Sequence, residues 1–201
     1  MHILNQLGIS RAVQALVERA ESSLSCIFSS IEKTAELNQY KVIEAFRAYN
    51  VGARHFAPTT GYGYSDEGRQ ALADVFAHIM RAQGAVLSPH IASGTHAISI
   101  ALFAVLRPGD TLISVTGKPY DTLHHVIGIG SSDKDTGSLA NFGVEYRQAE
   151  LPESGFTDVE QVVSAIKSSR RAKALFIQRS RGYAWRRALT IQDIRDFILQ
   201  I

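Results

Sequence analysis

The sequence predicts an α/β protein, with an N-terminal helical arm followed by part of a mostly parallel sheet flanked by helices. The first fifty residues show helical periodicity and no strand-like run. From residue 85 onward, short apolar runs alternate with helix-length amphipathic stretches. Parallel sheets with crossover helices are built in that order. The helical stretches open on Ser, Thr or Asp, and the connections carry Gly and Pro. On this reading residues 1–50 form the arm and residues 51–201 an incomplete α/β domain.

Residues 10–37 read as one helix. Val13, Leu16, Val17, Ala20, Leu24, Ile27, Phe28 and Ile31 recur mostly three or four apart, behind Ser10 as N-cap. Cys26 sits within it and is expected to be a small buried or half-buried hydrophobe. A second helix is expected from Tyr40 to Tyr49, then a loop over 51–64 marked by Pro58, Gly61 and Gly63. Ser65 is expected to cap a helix running through Ala71, Leu72, Val75, Phe76, Ile79 and Met80, with Gly84 closing it. A short strand from residue 85 leads to the polar turn Ser93-Gly94-Thr95-His96. An apolar helix, Ala97 to Leu106, follows and is stopped by Pro108-Gly109-Asp110. Strands are expected over 111–115, 143–147 and 173–178. Helices are expected from near Leu123, over about 157–168 behind the capping box Thr157-Asp-Val-Glu160, and over 191–201 behind Thr190. Gly128 to Gly137 reads as a mobile surface loop. It lacks the third glycine and the following helix of a dinucleotide fingerprint.

Composition narrows the function classes. The chain is 45% hydrophobic and 20% charged, as in ordinary globular domains. Its net charge of +2 argues against nucleic acid or an anionic membrane as the main partner. The longest strongly apolar run, Ala97 to Leu106, is far below the roughly 18 residues of a membrane span. The single cysteine rules out an intrachain disulfide and fits a reducing cytoplasm. The opening residues lack the basic and apolar regions of a signal peptide. His90, His96, His124 and His125 match no common metal-ligand spacing.

In open parallel sheets, ligands gather at the carboxyl ends of the strands. Three loops stand there: 89–96, 116–121 and 178–187. The start of the helix after Ser93 offers free N–H groups and a positive dipole end, which suit an anion. Gly94 lets the backbone come close to a ligand. Ser93 and Thr95 can donate hydroxyls; equally, they read as a plain helix cap. Arg179 and Arg181 can hold a carboxylate or belong to a solvated basic loop.

These residues resemble a family. Ser93-Gly94-Thr95-His96-Ala97 is similar to the phosphate-binding turn of fold type I enzymes that use pyridoxal 5′-phosphate (PLP), in the cystathionine and methionine lyase group. The set Thr-Thr-Gly-Tyr-Gly-Tyr, Ser-Gly-Thr-His-Ala, Gly-Lys-Pro-Tyr-Asp-Thr-Leu and Gln-Arg-Ser-Arg-Gly-Tyr-Ala-Trp resembles one branch more closely. That branch is the methionine γ-lyase-like proteins, also called aluminium resistance or cystathionine β-lyase family proteins. The resemblance covers nearly all of the chain. It implies a truncated large domain of that fold, PLP as cofactor, and a small sulfur-containing amino acid as substrate. Gly94 and Thr95 would bind the phosphate through backbone N–H groups, with Ser93 or His96 nearby. Tyr120 would stack on the pyridine ring. Tyr64 would reach the phosphate of the other subunit in a homodimer or homotetramer. Where that tyrosine's usual arginine partner would stand, two positions on, this chain has Asp66; Arg69 is the nearest substitute. Arg179 or Arg181 would hold the substrate carboxylate.

The resemblance also implies a Schiff-base lysine and an acid facing the pyridine nitrogen, both beyond Ile201. Lys33, Lys41, Lys118, Lys134, Lys167 and Lys173 do not stand in the expected setting. The chain alone is therefore expected to bind PLP weakly and to catalyse no elimination. Cutting a parallel sheet short should also expose an edge and an apolar face. An aminotransferase or racemase on the same fold, or a non-catalytic phosphate-binding module, are the rival readings.

Overall fold

The computed structural model describes residues 6–64, 66–130, 137–152 and 157–201. The chain divides into two compact units, residues 1–89 and 90–201.

The first unit is helical. Helix α1 (Arg11–Ala48) is one element of 38 residues rather than the expected pair. No Gly or Pro stands between Arg11 and Ala48, so nothing interrupts the hydrogen-bond ladder near Asn38. Ser10 caps it, accepting from the Val13 N–H. Only Gln14 and Ala45 of this helix are buried, while Val13, Val17, Leu24, Ile27 and Ile31 are exposed. Cys26 is exposed too, contrary to its expected burial, because it lies in the same exposed stretch of the helix. A turn of 3-10 helix (Ala53–Phe56) precedes helix α2 (Glu67–Met80). The expected cap, Ser65, lies outside the described residues. The capping side chain is Asp66, which accepts from the Arg69 N–H and pairs with the Arg69 guanidinium at 3.1 Å. The helix ends on Arg81 in the left-handed region, φ 54°, ahead of Gly84. His78 joins α2 to α1 through Glu44 at 2.6 Å and meets the Tyr49 ring edge-on. At Gly68 a Cβ would lie 2.2 Å from the His55 carbonyl oxygen, so only glycine lets α2 approach the 3-10 turn. The strand expected from residue 85 is not formed. Its Val86 is 85% exposed, and Pro89 has no N–H for a ladder.

The second unit is α/β. Helix α3 (Gly94–Val105) starts at Gly94 rather than Ala97. Then follow β1 (Thr111–Ser114), α4 (Thr122–Ile127), β2 (Glu145–Gln148), α5 (Val159–Ser168), β3 (Ala172–Phe176) and α6 (Ile191–Ile198). Among the described residues the sheet has three parallel strands, not the expected four, in the order β2-β1-β3. Thr111 pairs with Glu145 on one side and with Ala172 on the other; an irregularity against β3 falls between Thr111 and Leu112. Asp158, not Thr157, caps α5, and Thr190 caps α6 in a capping box with Asp193. Of the loop from Gly128 to Gly137, residues 131–136 lie outside the described residues.

β1 is buried along its whole length, and its side chains alternate between two cores. Leu112 joins Leu102 and Leu106, Leu123 and Ile127 of α4, Leu139 and Val144. Ile113 joins Val115, Ala149, Val162 of α5 and Phe197 of α6. The sheet is thus covered by helices on both faces, which leaves its strand ends as the place for a site. Asp110, fully buried at the head of β1, accepts the Arg107 N–H and lies 2.7 Å from Arg171 Nε.

Candidate functional site

The site is built at the start of α3. Ser93 is extended, and its Oγ accepts the His96 N–H at 3.1 Å, while its carbonyl accepts the Ala97 N–H. The N–H groups of Gly94 and Thr95 have no acceptor among the described residues. A Cβ on Gly94 would meet nothing within 4 Å, and its φ is not in the left-handed region. Neither packing nor backbone strain demands glycine there; its effect is to leave the two free amides open to a ligand. His96 turns back, its Nδ1 accepting the Ala92 N–H at 3.3 Å.

Hydrogen bonds join the start of α3 to α4, and the loop after β1 to the loop after β3. Thr95 Oγ1 donates to Thr122 Oγ1 at 2.9 Å, which ties the turn to α4. The loop after β1 is tied to the loop after β3 through Gln178. Its N–H donates to Thr116 Oγ1 at 2.9 Å, and its Oε1 accepts the Tyr120 N–H at 2.7 Å. The phenol oxygens of Tyr120 and Tyr183 are 2.8 Å apart, and their rings stack with centroids 5.4 Å apart and planes 30° from parallel. The hydrogen bond to Tyr120, with the negative charge that Tyr120 and Asp121 can carry, holds the Tyr183 phenol above its ordinary pKa.

The two candidate arginines differ. Arg179 Nε donates to the Leu189 carbonyl at 2.9 Å, and the Arg179 carbonyl accepts the Leu189 N–H, so this residue closes the loop. Arg181 has its guanidinium 5.9 Å from the ring centroid of Trp185 and meets no carboxylate or carbonyl among the described residues. Nearby, Arg186 donates to Ser180 O, and Arg187 forks onto both oxygens of Asp193.

Ser93, Gly94, Thr95, His96, Tyr120, Arg179 and Arg181 therefore lie in one unit, at the start of α3 and on the loops that follow β1 and β3. Tyr64 belongs to the first unit, where it is 83% exposed. There Arg69 is held by Asp66 and by the Gly61 carbonyl. Thr122, Gln178 and Tyr183, which make the bonds between these segments, are given no role in the sequence reading, although all three stand inside its motifs Gly-Lys-Pro-Tyr-Asp-Thr-Leu and Gln-Arg-Ser-Arg-Gly-Tyr-Ala-Trp. Among the described residues, no three His, Cys, Asp or Glu side chains gather as metal ligands, and no helix is long and apolar enough to cross a membrane.

The sequence model of the methionine gamma-lyase family matches residues 13–201. The chain belongs to that family. It is 42% identical over 178 residues to the uncharacterized protein YnbB of Bacillus subtilis (strain 168), covering 89% of this chain and 42% of that one. Among solved structures, it is similar to a carbon-sulfur lyase involved in aluminum resistance from Clostridium novyi NT. That match has a TM-score of 0.92 and 39% identity, over 99% of this chain and 47% of the other. A Clostridium acetobutylicum protein, provisionally named a cystathionine beta-lyase involved in aluminum resistance, matches with a TM-score of 0.91 and 40% identity. That alignment covers 98% of this chain and 46% of the other. The chain thus spans under half the length of these family members.

Proposed function

We propose that this chain carries the phosphate- and ring-binding part of a PLP-dependent carbon–sulfur lyase acting on a sulfur-containing amino acid. The observation that carries the reading is the open turn at Gly94. The Gly94 and Thr95 amides have no acceptor among the described residues, a Cβ on Gly94 would meet nothing within 4 Å, and the turn is hydrogen-bonded to the element that begins beside Tyr120. Membership of the methionine gamma-lyase family and the name of the Clostridium novyi protein support the reaction class.

The residues present suit such a cofactor. The N–H groups of Gly94 and Thr95 would hold its phosphate, aided by the dipole of α3. Ser93 orients the turn by capping it, and His96 braces it through Ala92. Tyr120 offers a ring face to the pyridine ring. Arg181, free of carboxylate partners, would take the substrate carboxylate, while Arg179 holds the loop that carries it. The cofactor, when bound, supplies an electron sink for the substrate's α-carbon. On this reading none of the chain's six lysines has a covalent role. Tyr64, exposed in a Gly-rich turn, would reach the phosphate held by a second subunit, in a homodimer or homotetramer. The unpaired Cys26 suits a cytoplasmic setting.

Phosphorus NMR titration with pyridoxamine 5′-phosphate and with inorganic phosphate tests the reading. Both ligands should shift on binding the wild-type chain. Gly94→Val should weaken both severalfold while leaving the melting temperature in place. Equal binding by wild type and Gly94→Val would overturn the assignment.

A further inference from the structure

We propose that Tyr183 is a positioning residue for Tyr120: it sets the plane of the Tyr120 ring by stacking and the direction of its phenol by a hydroxyl–hydroxyl hydrogen bond. This rests on the assignment of Tyr120 to the pyridine ring. The Tyr120 side chain has little else to hold it. Its amide is fixed by Gln178, but its hydroxyl pairs with Tyr183 alone, and Tyr183 is the one aromatic side chain stacked on it among the described residues. A phenyl ring on a strand-end loop otherwise rotates about its side-chain bonds.

Tyr183 is itself well placed for this task. It follows Gly182, which takes a left-handed φ of 57°. A Cβ on Gly182 would lie 3.8 Å from Tyr120 Cδ2 and 3.4 Å from Gln178 Nε2, so the turn runs close to the ring. Gln178 binds both sides of the arrangement, accepting from the Tyr120 amide and donating to the Ser180 carbonyl at 3.3 Å. Arg186 fixes the same carbonyl from the other side at 2.6 Å. The Tyr183 loop is therefore braced against Tyr120 at the backbone as well as at the rings. Tyr183 stacks on Tyr120, and Tyr120 remains 38% exposed. Tyr183 is 80% exposed, and no buried core depends on it.

Pyridoxamine 5′-phosphate, which needs no lysine, and inorganic phosphate are the probes, followed by phosphorus NMR. Tyr183→Ala should weaken pyridoxamine 5′-phosphate by about threefold to tenfold, the range of one aromatic contact, and leave inorganic phosphate unchanged. Tyr183→Phe keeps the stack and should recover most of the loss. Unchanged affinity for pyridoxamine 5′-phosphate in Tyr183→Ala would overturn the proposal. Equal weakening of both ligands would also overturn it, because that is the mark of a purely structural role. Tyr120→Ala separates the two levels. If it weakens pyridoxamine 5′-phosphate while Tyr183→Ala does not, only the positioning role falls. If it has no effect, the ring assignment falls and the proposal falls with it.

Discussion

Thr95 and Thr122 share a hydroxyl–hydroxyl hydrogen bond of 2.9 Å that ties the first turn of α3 to the first residue of α4. The two hydroxyls are exposed, so water competes for each, and the net value is that of an ordinary hydrogen bond, about 1 kcal/mol. Thr95→Val and Thr122→Val should each lower stability by about that amount. The double variant should cost less than the sum, since the second change removes a group already without its partner. Denaturant unfolding of the four proteins measures the coupling; strict additivity would show that the hydroxyls do not interact.

Acid should weaken the end of the second unit through Asp193. Hydrogen bonds from the Arg187 guanidinium, then from the Thr190 hydroxyl and amide, hold its carboxyl well below the usual carboxylate range. A depressed folded pKa gives stability that is complete above the unfolded carboxylate value of about 3.9 and is lost as pH falls toward the folded one. Asp193→Asn should therefore be less stable than wild type at neutral pH, and the gap should close below about pH 4. A gap that stays constant from pH 7 to pH 2 would assign the loss to something other than this charge.

Much of this architecture is legible in the sequence because single residues decide it. Ser10 and Thr190 each stand alone before a helix, and each caps it; of the two candidates Ser93 and Thr95, Ser93 caps α3. Where Thr157 and Asp158 stand together, the carboxylate takes the cap, one residue later than the Thr-x-x-Glu pattern suggests. The join at Asn38 reads as a break because apolar periodicity lapses there, yet only Gly or Pro would have broken the backbone ladder. The strand before Pro89 fails for the opposite reason. Its composition is apolar, but a strand also needs a partner, and sequence pattern does not supply one. The turn Ser93-Gly94-Thr95-His96 is local and can be read from four residues. The Tyr120–Tyr183 pair joins positions 63 residues apart, so no spacing rule announces it.

The alkaline limb reports on β2. Burial pushes the Tyr146 phenol up to about 12; a hydrogen bond from Ser114 works against this, and the charge of Glu150 adds to it. Its hydroxyl donates to Gln148 Oε1 at 2.9 Å. The folded value lies above the unfolded value of about 10, so the folded state keeps the proton longer. Stability is therefore full below about pH 10 and falls as pH rises toward 12. Tyr146→Phe should flatten that fall and remove one late-ionising phenol from the absorbance titration at high pH. An unchanged titration would mean that Tyr146 ionises with the exposed tyrosines.

Two glycines at helix starts should respond to alanine in opposite directions. In a helix, exchanging Gly for Ala alone gains at most about 1 kcal/mol, because alanine has less backbone freedom to lose on folding. At Gly94 that gain is available, since a Cβ there meets no protein atom within 4 Å. Gly94→Ala should leave the melting temperature unchanged or slightly raised. At Gly68 the Cβ would fall 2.2 Å from the His55 carbonyl oxygen, a backbone atom that cannot swing aside. Relieving that overlap means shifting α2 away from the 3-10 turn, at a cost of about 1–3 kcal/mol. Gly68→Ala should therefore lower stability despite its better helix propensity. Thermal unfolding of the two variants side by side decides the matter. A stable Gly68→Ala would show that the approach of the His55 turn to α2 is loose, and a destabilised Gly94→Ala would show that the space above the turn is already filled.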